Sequence, residues 1–117
     1  MKLRPGFQRA VDQVHAAAPD AVRDAARPVA SAIASEAPKA TGRLADSVAI
    51  KDGSASDTSA SVSVEVSGGH EPRHFVAAVE YGSAHHAANP FIRRAFRRAR
   101  AAALARIASG IARALRR

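Results

Sequence analysis

The apolar positions of the first third of the chain fall on one stripe. Phe7, Val11, Val14, Ala18, Val22, Ala26, Val29 and Ile33 recur at spacings of four and three. That period predicts a helix over about residues 5–36. Pro19 and Pro28 interrupt the segment, but the stripe keeps its phase across both. One long bent helix is therefore favoured over two helices with Pro19 at the first position of the second. Pro38 and Gly42 end the helix, and residues 37–47 read as a turn with a short helical piece.

The period then changes from helical spacing to two. Val48 and Ile50 alternate with Ala49 and Lys51. Residues 51–57 (KDGSASD) read as a polar, turn-rich connection. Ala60, Val62, Val64 and Val66 alternate with Ser61, Ser63 and Glu65, the clearest period-two run in the chain. After a second turn at 67–73, Phe75, Ala77, Val79 and Tyr81 alternate with Val76, Ala78 and Glu80. This predicts a third strand, apolar on most of both faces and so central or at an interface.

Residues 82–89 form a loop, and helical spacing returns at residue 90. Asn89 reads as an N-cap and Pro90 as the first helical residue. The helix runs to about Leu115, some 40 Å at the usual rise. Ile92, Phe96, Ala99, Ala103, Ile107 and Ile111 line one face, expected to pack on the sheet or the first helix. The fold class is α+β in one domain spanning residues 1–117. It comprises a long N-terminal helix, a small antiparallel sheet of about three to four strands, and a long basic C-terminal helix.

Composition sharpens this picture. Alanine supplies 30 of the apolar residues, leaving 25 large apolar side chains and no Trp. Such a core is thin, and oligomerisation is a common way to add burial. No cysteine is present, which excludes disulfides and thiolate metal sites. The N-terminal segment lacks the apolar run of a secretory signal, and no stretch is long and apolar enough to span a membrane. The net charge of +8 is unevenly placed. Residues 90–117 carry nine Arg and no acid, whereas residues 1–89 carry nine Lys or Arg against ten Asp or Glu. The excess positive charge thus belongs to the last helix, which suggests an acidic or polyanionic partner.

Candidate chemistry is sparse. The five histidines, His15, His70, His74, His85 and His86, match no metal-ligand pattern and read as exposed polar residues. No nucleophile elbow or phosphate loop occurs. Glu65 and Glu80 read as outward-facing, solubilising carboxylates in strands. The expectation is a non-enzyme without metal or cofactor. Two readings of the arginine-rich helix stand. One is contact with nucleic acid or an acidic protein surface. The other is a solvated face on a helix of good helix formers, a reading weakened by the absence of any compensating acid in the segment. The basic face lacks stacking aromatics, which argues against base-specific readout.

Two separated stretches together carry a resemblance. The first is Ala37-Pro38, Thr41-Gly42-Arg43-Leu44 and Ser47. The second is Val79-Glu80-Tyr81-Gly82-Ser83 followed by Ala88-Asn89-Pro90-Phe91-Ile92 and Ala95-Phe96. In order and spacing they resemble the phage tail-completion family, the head–tail joining proteins of long-tailed bacteriophage necks. The resemblance implies a structural virion protein assembled in the bacterial host cytoplasm. It implies a ring, often of six subunits, that joins the tail tube to the head-completion proteins and lets DNA pass. The implied partners are further copies of the chain, neighbouring neck proteins, the tail-tube protein and, non-specifically, DNA. A head-completion stopper, a tail terminator and a sequence-independent nucleic-acid-binding protein are the alternatives.

The residues expected to meet partners are Arg93, Arg94, Arg97, Arg98, Tyr81 and Phe91. Tyr81 offers an apolar face with a polar tip. Gly42, Leu44, Glu80, Gly82, Asn89 and Pro90 are the structural positions of the motif, with Gly42 and Gly82 placed where positive φ is needed. Glu80 either pairs with an Arg of the last helix or faces water. Changing Arg93, Arg94, Arg97 and Arg98 to Gln is expected to spare the fold and weaken joining.

Overall fold

The structure is a computed structural model that describes residues 5–38, 43–56, 59–68, 75–84 and 87–116. The apolar stripe of the first segment folds as one unbroken helix, α1 (Pro5–Glu36), with Pro19 and Pro28 both inside it. An interior proline cannot donate to the carbonyl four residues back and crowds it. At Pro28 that carbonyl belongs to Asp24, and Arg106 of the last helix reaches it with Nη1 at 3.5 Å while also meeting Asp24 Oδ1 at 3.3 Å. Tertiary contact thus answers the group that proline leaves over.

The last helix, α4 (Phe91–Leu115), runs antiparallel along α1. Glu36 lies beside Arg94 and Arg98, Asp24 beside Arg106, and Ala21 beside Gly110. The pair sets the long axis of a molecule measuring 62 × 22 × 20 Å. Its contact surface is built from small residues: Ala21, Ala25, Ala32, Ala95, Ala99 and Ala114 are all buried. A Cβ added at Gly110 would sit 3.0 Å from the Cβ of Ala21. The abundance of alanine that makes the core thin also lets two long helices approach closely.

Between the helices in sequence come α2 (Arg43–Asp46) and an antiparallel hairpin of β1 (Val48–Ala55) and β2 (Ala60–Val66). Val48 pairs with Val66, Ile50 with Val64 and Asp52 with Val62. Beyond Asp52 the register shifts by one residue, so that Ala55 pairs with Ala60. This is a bulge, and it sits at Gly53. A Cβ there would lie 2.6 Å from the Ser61 carbonyl oxygen. Residues 51–55, expected in a turn, therefore continue β1. Their Ser, Asp and Gly content reflects an exposed bulged strand, and just beyond it the Ser56 amide donates to the Ser59 carbonyl at 2.7 Å.

The larger correction concerns the third strand. Phe75–Tyr81 forms a helix, α3, so the sheet has two strands among the described residues and not three or four. Burial follows the helical period: Ala77 and Tyr81, four apart, are exposed, while Val76, Val79 and Glu80 are covered. Seven residues apolar on both faces satisfy either period, and the requirement to bury Glu80 selects the helix. Gly82 follows with φ 84°, the left-handed conformation expected there. Gly42, assigned the same role, and Thr41 lie outside the described residues.

The core gathers Val29 and Ile33 of α1, Ala37 just beyond it, Leu44 of α2, and Phe91, Ala95 and Ala99 of α4. Phe91 and Leu44 are its largest fully buried side chains. Each such burial stabilises by roughly 1.5–3 kcal/mol. Ser47 ties the hairpin to this core. Its hydroxyl donates to the Leu44 carbonyl at 2.8 Å and accepts from the Gly68 amide at 3.0 Å. Gly68 is buried with φ 83°, so the hydroxyl of the motif serine fixes the exit of β2.

Candidate partner-docking face

The N-terminus of α4 lacks the means to satisfy itself. Its cap residue is Pro90, which offers no side-chain acceptor, and its first turn holds no acid. Helix N-termini leave amides without partners and favour negative charge. Glu80, on α3, supplies both. Its Oε1 accepts from the Ile92 amide at 2.8 Å and its Oε2 from the Arg93 amide at 3.2 Å. Arg93 then folds back, its Nε 2.9 Å from Glu80 Oε2, and its guanidinium lies 5.1 Å from the centre of the Tyr81 ring. Glu80 is 3% exposed. The expectation of an outward-facing carboxylate is thus overturned, and pairing with the last helix is observed.

This junction revises the cap assignment. Asn89 does not cap α4: its Oδ1 accepts instead from Arg94 Nη2 at 3.1 Å. Its amide donates to the Val79 carbonyl at 2.8 Å, which folds the loop back on α3. Pro90 precedes the helix as its cap residue and does not occupy its first position.

The arginines of α4 divide into two sets. Arg94 and Arg98 share Glu36, with Nε at 2.8 Å from Oε2 and Nη1 at 2.5 Å from Oε1. The Arg94 hydrogen bond, followed by the charges of Arg98 and Arg94, holds the Glu36 carboxyl below its ordinary pKa, against the opposing effect of burial. With Arg93 on Glu80 and Arg106 on Asp24, four of the eight described arginines on residues 91–116 are paired within the chain, by three carboxylates. The acids that the segment lacks come from α1 and α3. Arg97, Arg100, Arg113 and Arg116 are exposed and have no carboxylate partner among the described residues. A change of Arg93, Arg94, Arg97 and Arg98 together would therefore break three internal pairs, and it is no longer expected to spare the fold.

Of the residues assigned to partner contact, Tyr81 is 69% exposed, and Arg93, Arg94, Arg97 and Arg98 are exposed. Phe91 is 0% exposed and belongs to the protomer's own core, which leaves no surface of it for a partner. The buried stripe of α4 runs through Phe91, Ala95 and Ala99. Of the stripe expected to pack, Ala99 is buried and Ile92 and Ala103 lie against the core, while Ile92, Phe96 and Ile107 also wall an open groove of about 610 Å³ together with Val22, Val29 and Ile33 of α1 and Val62 and Val64 of β2. Phe96 stays 51% exposed there. Neither the capping role of Glu80 nor this groove was visible in the alternation. The absence of any acceptor at the start of α4 was the signal for the first.

His15 is exposed on α1, and His70, His74, His85 and His86 lie outside the described residues. Among the described residues no group of three His, Cys, Asp or Glu could hold a metal ion, and no helix is long and apolar enough to cross a membrane. What the surface offers is shape and charge: an apolar groove, a capped helix junction and a row of unneutralised arginines.

The chain matches, over residues 2–82, the family described as "Bacteriophage HK97-gp10, putative tail-component". The match covers more than two thirds of the chain, from α1 through Gly82, and the chain belongs to this family of phage tail components. It stops before α4. No curated protein and no solved structure matches the chain.

Proposed function

We propose that this tail component acts at the neck of a tailed phage or phage-like particle. It forms a ring there, of six copies by the resemblance to tail-completion proteins, that joins the tail tube to the head-completion proteins and lets DNA pass. Membership of the tail-component family carries the reading. The thin alanine core and the only partly paired basic helix support it, because each leaves surface whose burial or neutralisation requires a neighbour. The work is noncovalent: burial and charge matching, with no bond made or broken. The protein's place is the virion, after assembly in the host cytoplasm.

Internal pairing of Arg93, Arg94, Arg98 and Arg106 with three carboxylates reduces the charge available to a nucleic acid. It also favours a protein contact at the ring's rim over a lumen that would hold DNA back. The experiment is particle assembly without the chain. Full heads and separate, finished tails that join on addition of the purified protein are the expected result. Normal joined particles in its absence would overturn the reading.

A further inference from the structure

The groove between β2 and α4 is bounded by two features that specify what fills it. One wall is an edge strand. Among the described residues the sheet has only the order β1–β2, so one side of β2 is paired with β1 and the other has no strand beside it. Val62 and Val64 of β2 face the groove, and no β1 residue lines it. The other wall is the α4 stripe of Ile92, Phe96 and Ile107. From Ile92 to Ile107 the helix rises about 22 Å at 1.5 Å per residue, and from Ala60 to Val66 the strand extends about 20 Å at 3.3 Å per residue. The two walls are matched in length to one added strand of about seven residues.

Charge decides the character of that strand. On the far side of α4 the arginines are answered by Glu36 and Asp24. On the groove side Arg97 lines the opening, Arg100 follows on the same face, and neither has an acid partner among the described residues. The last helix of a second copy, with nine Arg and no acid over residues 90–117, would repel that rim. A nucleic acid meets an apolar wall that stacks nothing but the single ring of Phe96.

We propose that the groove receives an extended segment of a different protein. The segment adds to the free edge of β2, sets alternate apolar side chains against Phe96 and Ile107, and carries acids that pair with Arg97 and Arg100. Backbone hydrogen bonds supply affinity in such strand addition, and the alternate side chains supply specificity. The inference rests on the groove and not on the ring. It is read in the isolated full-length chain, so its failure and that of the neck reading are separable.

The test uses octapeptides titrated into isotope-labelled protein and followed by amide shifts and exchange. The probe alternates valine and glutamate. The expected result is saturable binding at micromolar to millimolar peptide, with slowed exchange at β2 amides. Arg97→Glu with Arg100→Glu should weaken it tenfold or more, as should Phe96→Ser. All three side chains are exposed, so the fold is retained, which circular dichroism confirms. The inference is overturned by any of four results: no saturation at millimolar peptide, equal binding of a valine–lysine octapeptide, tighter binding of an acidic amphipathic helical peptide, or displacement of the probe by duplex DNA. Self-association of the protein that covers β2 would overturn it as well.

Discussion

The capping of α4 by Glu80 makes a demanding prediction. Glu80→Ala removes the acceptor for the Ile92 and Arg93 amides and the partner of the Arg93 guanidinium at one stroke. Loss of a helix N-terminal acceptor costs about 1–2 kcal/mol. The ion pair adds only about 1 kcal/mol, because the Arg93 side chain is 53% exposed and water screens it. The expected loss is about 2–3 kcal/mol, a fall in Tm of about 10 °C for a chain of this size. Glu80→Gln keeps one oxygen for an amide but turns an NH₂ toward Arg93, and should lose about 1–2 kcal/mol. Glu65→Ala, an exposed carboxylate on β2, is the control and should stay within about 0.5 kcal/mol of the parent. Urea unfolding with a double-mutant cycle to Arg93→Gln measures the coupling. A Glu80→Ala protein as stable as the Glu65→Ala control would refute the cap and, with it, the reason given for α3 being a helix.

Three further perturbations test other joints of the fold. Glu36 has its pKa lowered by Arg94 and Arg98, so its contribution is present above the unfolded value of 4.5 and is lost as pH falls through the folded one. Glu36→Gln should therefore flatten the decline of stability below about pH 4.5, and an unchanged acid limb in urea melts would contradict the pairing. Gly110→Leu forces a side chain against Ala21 and should lose about 1–3 kcal/mol by overpacking, read as a lowered Tm. Gly53→Val drives a Cβ into the Ser61 backbone and should disturb the register beyond Asp52, seen as lost amide protection at residues 54–61 with α1 unaffected.

The parts of the fold legible in the sequence are those where one period ran long. The α1 stripe held phase over 32 residues and through two prolines, and the β2 alternation of valine with serine could be nothing but a half-covered strand. Length failed at Phe75–Tyr81, where seven mostly apolar residues fit both periods and only the tertiary demand for a carboxylate at the start of α4 decided between them. In α4 the expected face holds at Ile92, Ala99 and Ala103, which are buried or lie against the core, and fails at Phe96, which is 51% exposed. The stripe through Ile92 and Phe96 has the larger side chains, yet the face that packs runs through Phe91, Ala95 and Ala99, because close approach to α1 favours alanine. Ile92, Phe96 and Ile107 also wall the groove, so one edge of the expected face stays open. Pairing of Arg94 and Arg98 with Glu36 spans about sixty residues, and no local charge pattern encodes it.

The account rests on the chain being a ring at the neck, and electron cryomicroscopy of assembled particles reads that directly. Symmetry-resolved density at the head–tail junction should show the helix pair and hairpin repeated around the tail axis, coaxial with the tube. A single off-axis copy, or particles whose junction density holds no such repeat, would contradict it.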